Sequence, residues 1–280
     1  MAVVVGCGLA VTFGVDRFIV DAAFDRFRPA DPNAGPLKAR VELRDLNNSL
    51  TDRDRALAET VSRKQLEFYS QSFRVPAVMP VRLRLFRDFS QYENHRDATS
   101  RVTTKMGYYS RKRREAVVNW NRAYRATIYH EVQHAIAHQL FPRMPRWINE
   151  GLSEVFETAR VDRGSMIARR QRSMVRWLNR WKRQNRLPEM KAWLDLSRSE
   201  WQAGDKAPIF RNRILSWGVT YFMMSTPGRR GALNRILTDL YWRRVPSPSV
   251  AIDKHYAGGL SAFQRDFSGF VSAMPRAIPL

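Results

Sequence analysis

The run His130-Glu131-Val132-Gln133-His134 constrains this chain more than any other stretch. On an α-helix, residues four apart lie one turn above each other. An H-E-x-x-H pentapeptide therefore sets two imidazoles on one face, where they can meet on a single metal ion, with the intervening glutamate aimed at a water held there. Residues 122–138 read as that helix, with Asn119 or Asn121 as its cap and Pro142 beyond its end. The chain has five histidines, and His130, His134 and His138 recur at i, i+4, i+8. Composition alone yields the pentapeptide in roughly a few of every thousand such chains, so chance is a weak account. A helix with surface histidines is the other reading.

The next helix bears on that choice. Trp147 to Glu157 follows Pro142 and Pro145, and Ile148, Leu152, Val155 and Phe156 form its apolar stripe. Glu150, Glu154 and Glu157 lie on another face at i, i+4, i+7. Three carboxylates so spaced repel one another on a bare helix, and a nearby cation or imidazole N–H offsets that cost. A tetrahedral zinc site with two histidines takes one more protein ligand and leaves a position for water. Glu150 is the best candidate for that ligand. Glu154 is expected to accept the free ring N–H of a ligand histidine and so fix its tautomer. Gly151 would let the two helices approach closely. An exposed acidic face is the alternative.

His130-Glu131-Val132-Gln133-His134 followed by Trp147-Ile-Asn-Glu-Gly-Leu-Ser-Glu154 resembles the gluzincin metallopeptidases, whose third zinc ligand is the Glu of an N-E-x-x-x-[DE] segment. The compact layout looks closer to the peptidase MA-like and DUF1570 families than to the M1 aminopeptidases. The resemblance implies a zincin-like fold, Zn²⁺ on His130, His134 and Glu150, Glu131 as general base, and a peptide or protein substrate. It also implies a strand ahead of the metal helix, near Ala116 to Asn119, that edges the cleft. The spacing from His134 to Glu150 is shorter than in thermolysin-like enzymes. Ala137 and Leu140 stand where a metzincin would need Gly and His. Relatives often carry a tyrosine three residues before the tryptophan at position 217, where this chain has Ile214. Tyr221, Tyr108 and His255 are then the candidates for an oxyanion donor.

The rest of the chain gives an α+β order. An apolar N-terminal segment and a breaker-rich linker occupy 1–36, and a catalytic domain is expected over 37–275, with a small mixed sheet lobe to about residue 120 and a helical lobe beyond. Strands are expected near 39–45 and 81–86, a long amphipathic helix over 52–73, a short helix over 90–97, and a hairpin from Gly107 through the basic turn Arg111-Lys-Arg-Arg114 to Trp120. A basic amphipathic helix is expected over 166–181, with further helices near 189–196, 215–225, 229–241 and 260–273.

The net charge is +22, and 40 of the 48 basic residues are arginine. Such a surface attracts anionic surfaces or polymers, or it is simply a solvated basic face. A non-catalytic protein binding polyanions on the same scaffold is thus the alternative to a peptidase. No specific nucleic-acid motif occurs. The apolar run from Ala2 to Val15, with its lone Cys7, is too short to cross a bilayer and suits an export signal, although no basic residue precedes it. Export to a cell envelope, or membrane association, is the expectation it supports. The pattern is silent on oligomeric state.

Overall fold

Alternating apolar and charged residues build the first layer. In the computed structural model, which describes residues 38–44, 50–71, 73, 78–100, 102–203 and 206–280, strand β1 (Lys38–Arg44) lies parallel to β2 (Val78–Phe86), with Val41 opposite Val81 and Leu43 opposite Leu83. The N-terminal apolar segment and the linker over 1–36 lie outside the described residues. Parallel neighbours need a crossover. Helix α1 (Asp52–Ser70) supplies it, started by a capping box in which Thr51 and Asp54 satisfy each other's backbone N–H groups.

Helix α2 (Phe89–Thr99) follows β2, and the hairpin of β3 (Gly107–Ser110) and β4 (Glu115–Asn119) completes the sheet in the order β1-β2-β4-β3. β2 runs parallel to β4, and β3 antiparallel to β4. The mixed sheet is the expected one, though β2 begins before Pro80. Proline is tolerated there because β4 pairs with β2 only from Arg82 onward, so the missing N–H interrupts no ladder on that side. β4 is an inner strand, and β3 is the sheet edge. The cleft-edging strand expected near Ala116 to Asn119 is therefore β3 instead.

Helix α3 (Tyr124–Leu140) carries the three histidines and packs across this sheet and α1. Gln65 donates to the Tyr129 carbonyl at 2.8 Å, and Gln133 donates to the Tyr69 hydroxyl, so buried amides of each helix fix its register against the other. Neither asparagine caps α3 as expected. Asn119 ends β4, and Asn121 accepts from the Ala123 N–H at 2.8 Å, making the turn that leads into the helix.

Helix α4 (Arg146–Glu157) lies against α3, and behind it runs α8 (Lys206–Met224), far longer than the expected 215–225. A Cβ on Gly151 would come within 2.1 Å of Thr220 Oγ1 and 2.4 Å of the Ser216 carbonyl. The close approach that glycine permits is thus to α8, not to the histidine helix.

The basic stretch over 166–181 is not one helix. Arg163 and Gly164 both take left-handed φ values, 48° and 82°, and close a hairpin of β5 (Ala159–Asp162) and β6 (Ser165–Arg169). Strand β7 (Ala277–Pro279) joins β6, and α5 (Arg172–Arg183) begins only afterwards. Helices α6 (Met190–Leu194), α7 (Arg198–Gln202), α9 (Pro227–Tyr241), α10 (Pro248–His255) and α11 (Gly259–Ser272) complete the chain. One continuous apolar core runs from Val81 and Leu83 in the sheet through Ile128 and Ile148 to Trp217 and Phe222. The architecture is α+β. Among the described residues, no helix is long and apolar enough to cross a membrane.

Candidate metal centre

Helices α3 and α4 bring the sequence-predicted residues to one point. His130 Nε2 and His134 Nε2 face each other at 3.1 Å. A tetrahedral ion about 2.0–2.1 Å from each nitrogen would hold them about 3.3 Å apart. One ligating atom each from His130, His134 and Glu150 lie within 4.8 Å of one another, a group that could hold a metal ion.

The second nitrogen of each ring is also engaged. His130 Nδ1 meets Glu157 Oε1 at 2.6 Å. His134 Nδ1 lies 3.2 Å from both Asn149 Oδ1 and Ser153 Oγ. The Ser153 hydroxyl donates to the Asn149 carbonyl at 3.0 Å, so its oxygen is free to accept from the ring. With both Nδ1 hydrogens donated, two neutral imidazoles would point lone pairs at each other across 3.1 Å, an arrangement that a cation relieves.

The carboxylates favour a cation here. Burial opposes charge on His130, but the Glu157 hydrogen bond and the fields of Glu131, Glu157 and Glu154 outweigh it and raise its pKa to about 9. Burial, together with the positive fields of His130 and Arg146, pushes His134 down to about 4 despite Glu150. A charged His130 beside a neutral His134 could share one proton across the 3.1 Å between their Nε2 atoms, at the place a metal would take. Burial would raise Glu150, yet His134, Arg146, His130 and Arg213 hold it below the usual carboxylate range.

Glu154 does not accept from a ligand histidine. Arg213 on α8 reaches it through Nε at 2.6 Å and through a terminal nitrogen as well, and the acceptor for His130 is Glu157, three residues on. The reason lies in the third helix. α8 delivers a guanidinium to the buried Glu154, and a buried carboxylate takes the strongest cationic donor within reach. The i, i+4, i+7 spacing did not show that Glu157, and not Glu154, would face His130. His130, Glu154 and Glu157 also lie within 4.8 Å of one another.

Glu131 is buried, and its Oε2 has no hydrogen-bond partner. Burial and the charges of Glu150 and Glu157, against His130 and Arg213, lift its pKa to about 7. A cleft of about 880 Å³ opens over these groups, lined by Gly107, Tyr109, Glu131 and Glu150 among others. A Cβ on Gly107 would fall 2.5 Å from Thr127 Cγ2 and 3.3 Å from Glu131 Cγ, so glycine lets the edge strand lie directly over the H-E-x-x-H turn.

Of the expected oxyanion donors, none presents a free hydroxyl or imidazole to this point. Tyr221 donates to the Pro275 carbonyl, the Tyr108 hydroxyl pairs with Thr99, and His255 is bound to Asp239. His138 lies farther along the cleft, 3.1 Å from the Tyr109 hydroxyl. Arg213 and the pairing of Asn149 and Ser153 with His134 had no sequence assignment, although Asn149 immediately precedes the candidate ligand.

Fold and site together define an α+β protein with a His–His–carboxylate group able to hold a metal at the base of a cleft. Residues 124–245 match the family model described as a protein of unknown function, DUF1570. That segment starts at the first residue of α3 and includes α4 and Arg213, and the match agrees with the resemblance to DUF1570. No curated protein matches the chain.

Proposed function

We propose that the chain is a zinc-dependent metallopeptidase of gluzincin type on a zincin-like scaffold. The observation that carries this reading is the pair of Nε2 atoms facing across 3.1 Å, with each Nδ1 held by an acceptor and Glu150 alongside. Two histidines and a carboxylate suit zinc and leave room for a fourth, exchangeable position. A zinc ion on His130, His134 and Glu150 would supply a Lewis acid for the scissile carbonyl and lower the pKa of water.

The chain's own residues do the rest. Glu131, with its Oε2 unpartnered and its pKa lifted to about 7, is poised to take the proton of the attacking water and hand it to the leaving amine. The edge strand β3 would align the substrate backbone by strand addition, and Gly107 brings that edge within reach of Glu131. Glu157 and Asn149 hold the histidine rings with Nε2 toward the centre.

The test is Glu131→Gln with measured metal content. The variant should retain one zinc per chain and lose at least about a hundredfold in peptide hydrolysis. Full hydrolysis in that variant would rule out Glu131 as the base, and purified protein unable to hold stoichiometric zinc would rule out the metal site.

A further inference from the structure

The cleft does not end at the candidate metal site. A second cavity of about 360 Å³ adjoins it, and Arg111, Met144, Arg146, Asn149, Arg198 and Trp201 line both. Three of these six shared residues are arginines, drawn from the β3–β4 turn, the first residue of α4 and the first residue of α7. Arg143 lines the second cavity as well.

Little neutralises them. Among the described residues, Arg111, Arg143 and Arg198 form no ion pair with a carboxylate. Arg146 has one, Glu150 at 3.3 Å, and its Nε is buried without a partner while the guanidinium lies 4.6 Å over the Trp201 ring. The acidic residue on the wall of the second cavity, Asp195, is already used. It accepts from the Ser249 N–H at 2.9 Å and from the hydroxyls of Ser247 and Ser249 at the start of α10.

Arg111, Arg143 and Arg198 are exposed and Arg146 is partly buried, and like charges gathered on one concave wall repel one another until an anion shares it. Arginine forks match carboxylates in bidentate geometry, and a side cavity of this size suits one side chain or a chain end. We propose that this junction is a subsite for a carboxylate of the peptide substrate, either an acidic side chain near the scissile bond or the C-terminal carboxylate. The proposal rests on the peptidase reading for its substrate class, though not for the anion site itself.

The experiment measures binding apart from catalysis. Fluorescein-labelled octapeptides are titrated by anisotropy into the full chain, stripped of metal, at about 0.15 M salt, where long-range attraction to the surface is screened. One peptide carries a central Glu and an amidated C-terminus, one its Gln isostere, one the Gln isostere with a free C-terminus, and one phosphoserine in place of Glu. The Glu peptide, the free-acid peptide, or both should bind at least about tenfold tighter than the amidated Gln peptide, and which of them gains identifies the source of the carboxylate. Arg111→Gln/Arg198→Gln, at two exposed positions that the fold tolerates, should reduce that ratio to about twofold or less. Arg172→Gln/Arg176→Gln, on the exposed face of α5, should leave it intact and so separates a built subsite from overall charge.

Equal affinities, a ratio that survives the Arg111/Arg198 substitutions, an equal fall in the α5 control, or a gain confined to the phosphoserine peptide would each overturn the proposal. Selective binding by a chain that cleaves no peptide when loaded with zinc would instead remove the peptidase reading and leave the anion subsite standing.

Discussion

Replacing Glu157 with glutamine keeps an acceptor on His130 Nδ1 and removes its charge. The 2.6 Å contact is charge-assisted, and such bonds contribute about 1.5–3 kcal/mol against about 0.5–1.5 for neutral ones. The side chain of Glu157 is 26% exposed, so solvent screens part of that difference, and about 1 kcal/mol is a reasonable share. That corresponds to about a fivefold loss in zinc affinity. Glu157→Ala, which leaves Nδ1 without its partner, should approach the roughly hundredfold end of the range for such supporting groups. Competition against a chromophoric chelator reads both, and histidine NMR of the metal-free protein gives a second measure. Burial works against charge on His130 and the Glu157 bond is the largest effect opposing it, so in Glu157→Gln its pKa should fall from about 9. Glu154→Gln is the counterpart. It should leave zinc affinity within about threefold and lower the melting temperature, because Arg213 loses its buried carboxylate. If Glu154→Gln weakens zinc and Glu157→Gln does not, the assignment of Glu157 to His130 is wrong.

Gly151→Ala would drive a Cβ into Ser216 backbone as well as Thr220, so the helices must part, costing about 1–3 kcal/mol. A thermal melt should show a drop of roughly 2–10 °C, and an unchanged melt would contradict the tight packing of α4 on α8. Asp239, on α9, accepts from Lys254 at 2.7 Å and His255 at 2.8 Å. Burial would raise its pKa, but these two partners hold it below its ordinary value of 3.8. A depressed carboxyl stabilises the fold above its unfolded pKa and ceases to do so as pH falls through the folded one. Asp239→Asn should therefore cost about 1–3 kcal/mol at pH 7. In denaturant titrations that gap should close below about pH 4, and a gap independent of pH would show that the ion pairs are not its source.

The sequence alone determined what local periodicity can encode. Helical spacing put His130 and His134 on one face and Glu150 on the next helix, and alternation marked β1, β2 and the β3–β4 hairpin. It misread residues 166–181, because Met166, Ile167 and Ala168 fit a helical stripe as readily as a strand, and the Arg163-Gly164 turn that decides between them needs an arginine in left-handed conformation. The place of β3 at the sheet edge and the length of α8 depended on pairing and packing between distant segments. The same holds within the site. The sequence offered both Glu154 and Glu157 behind the candidate ligand, and only the arrival of Arg213 from a helix some sixty residues away separates Glu154, which it neutralises, from Glu157, which is left for His130. Chain periodicity fixed which residues could meet a metal; the partners that orient and charge them were decided by tertiary packing, since hydrogen bonds between elements leave no periodic trace.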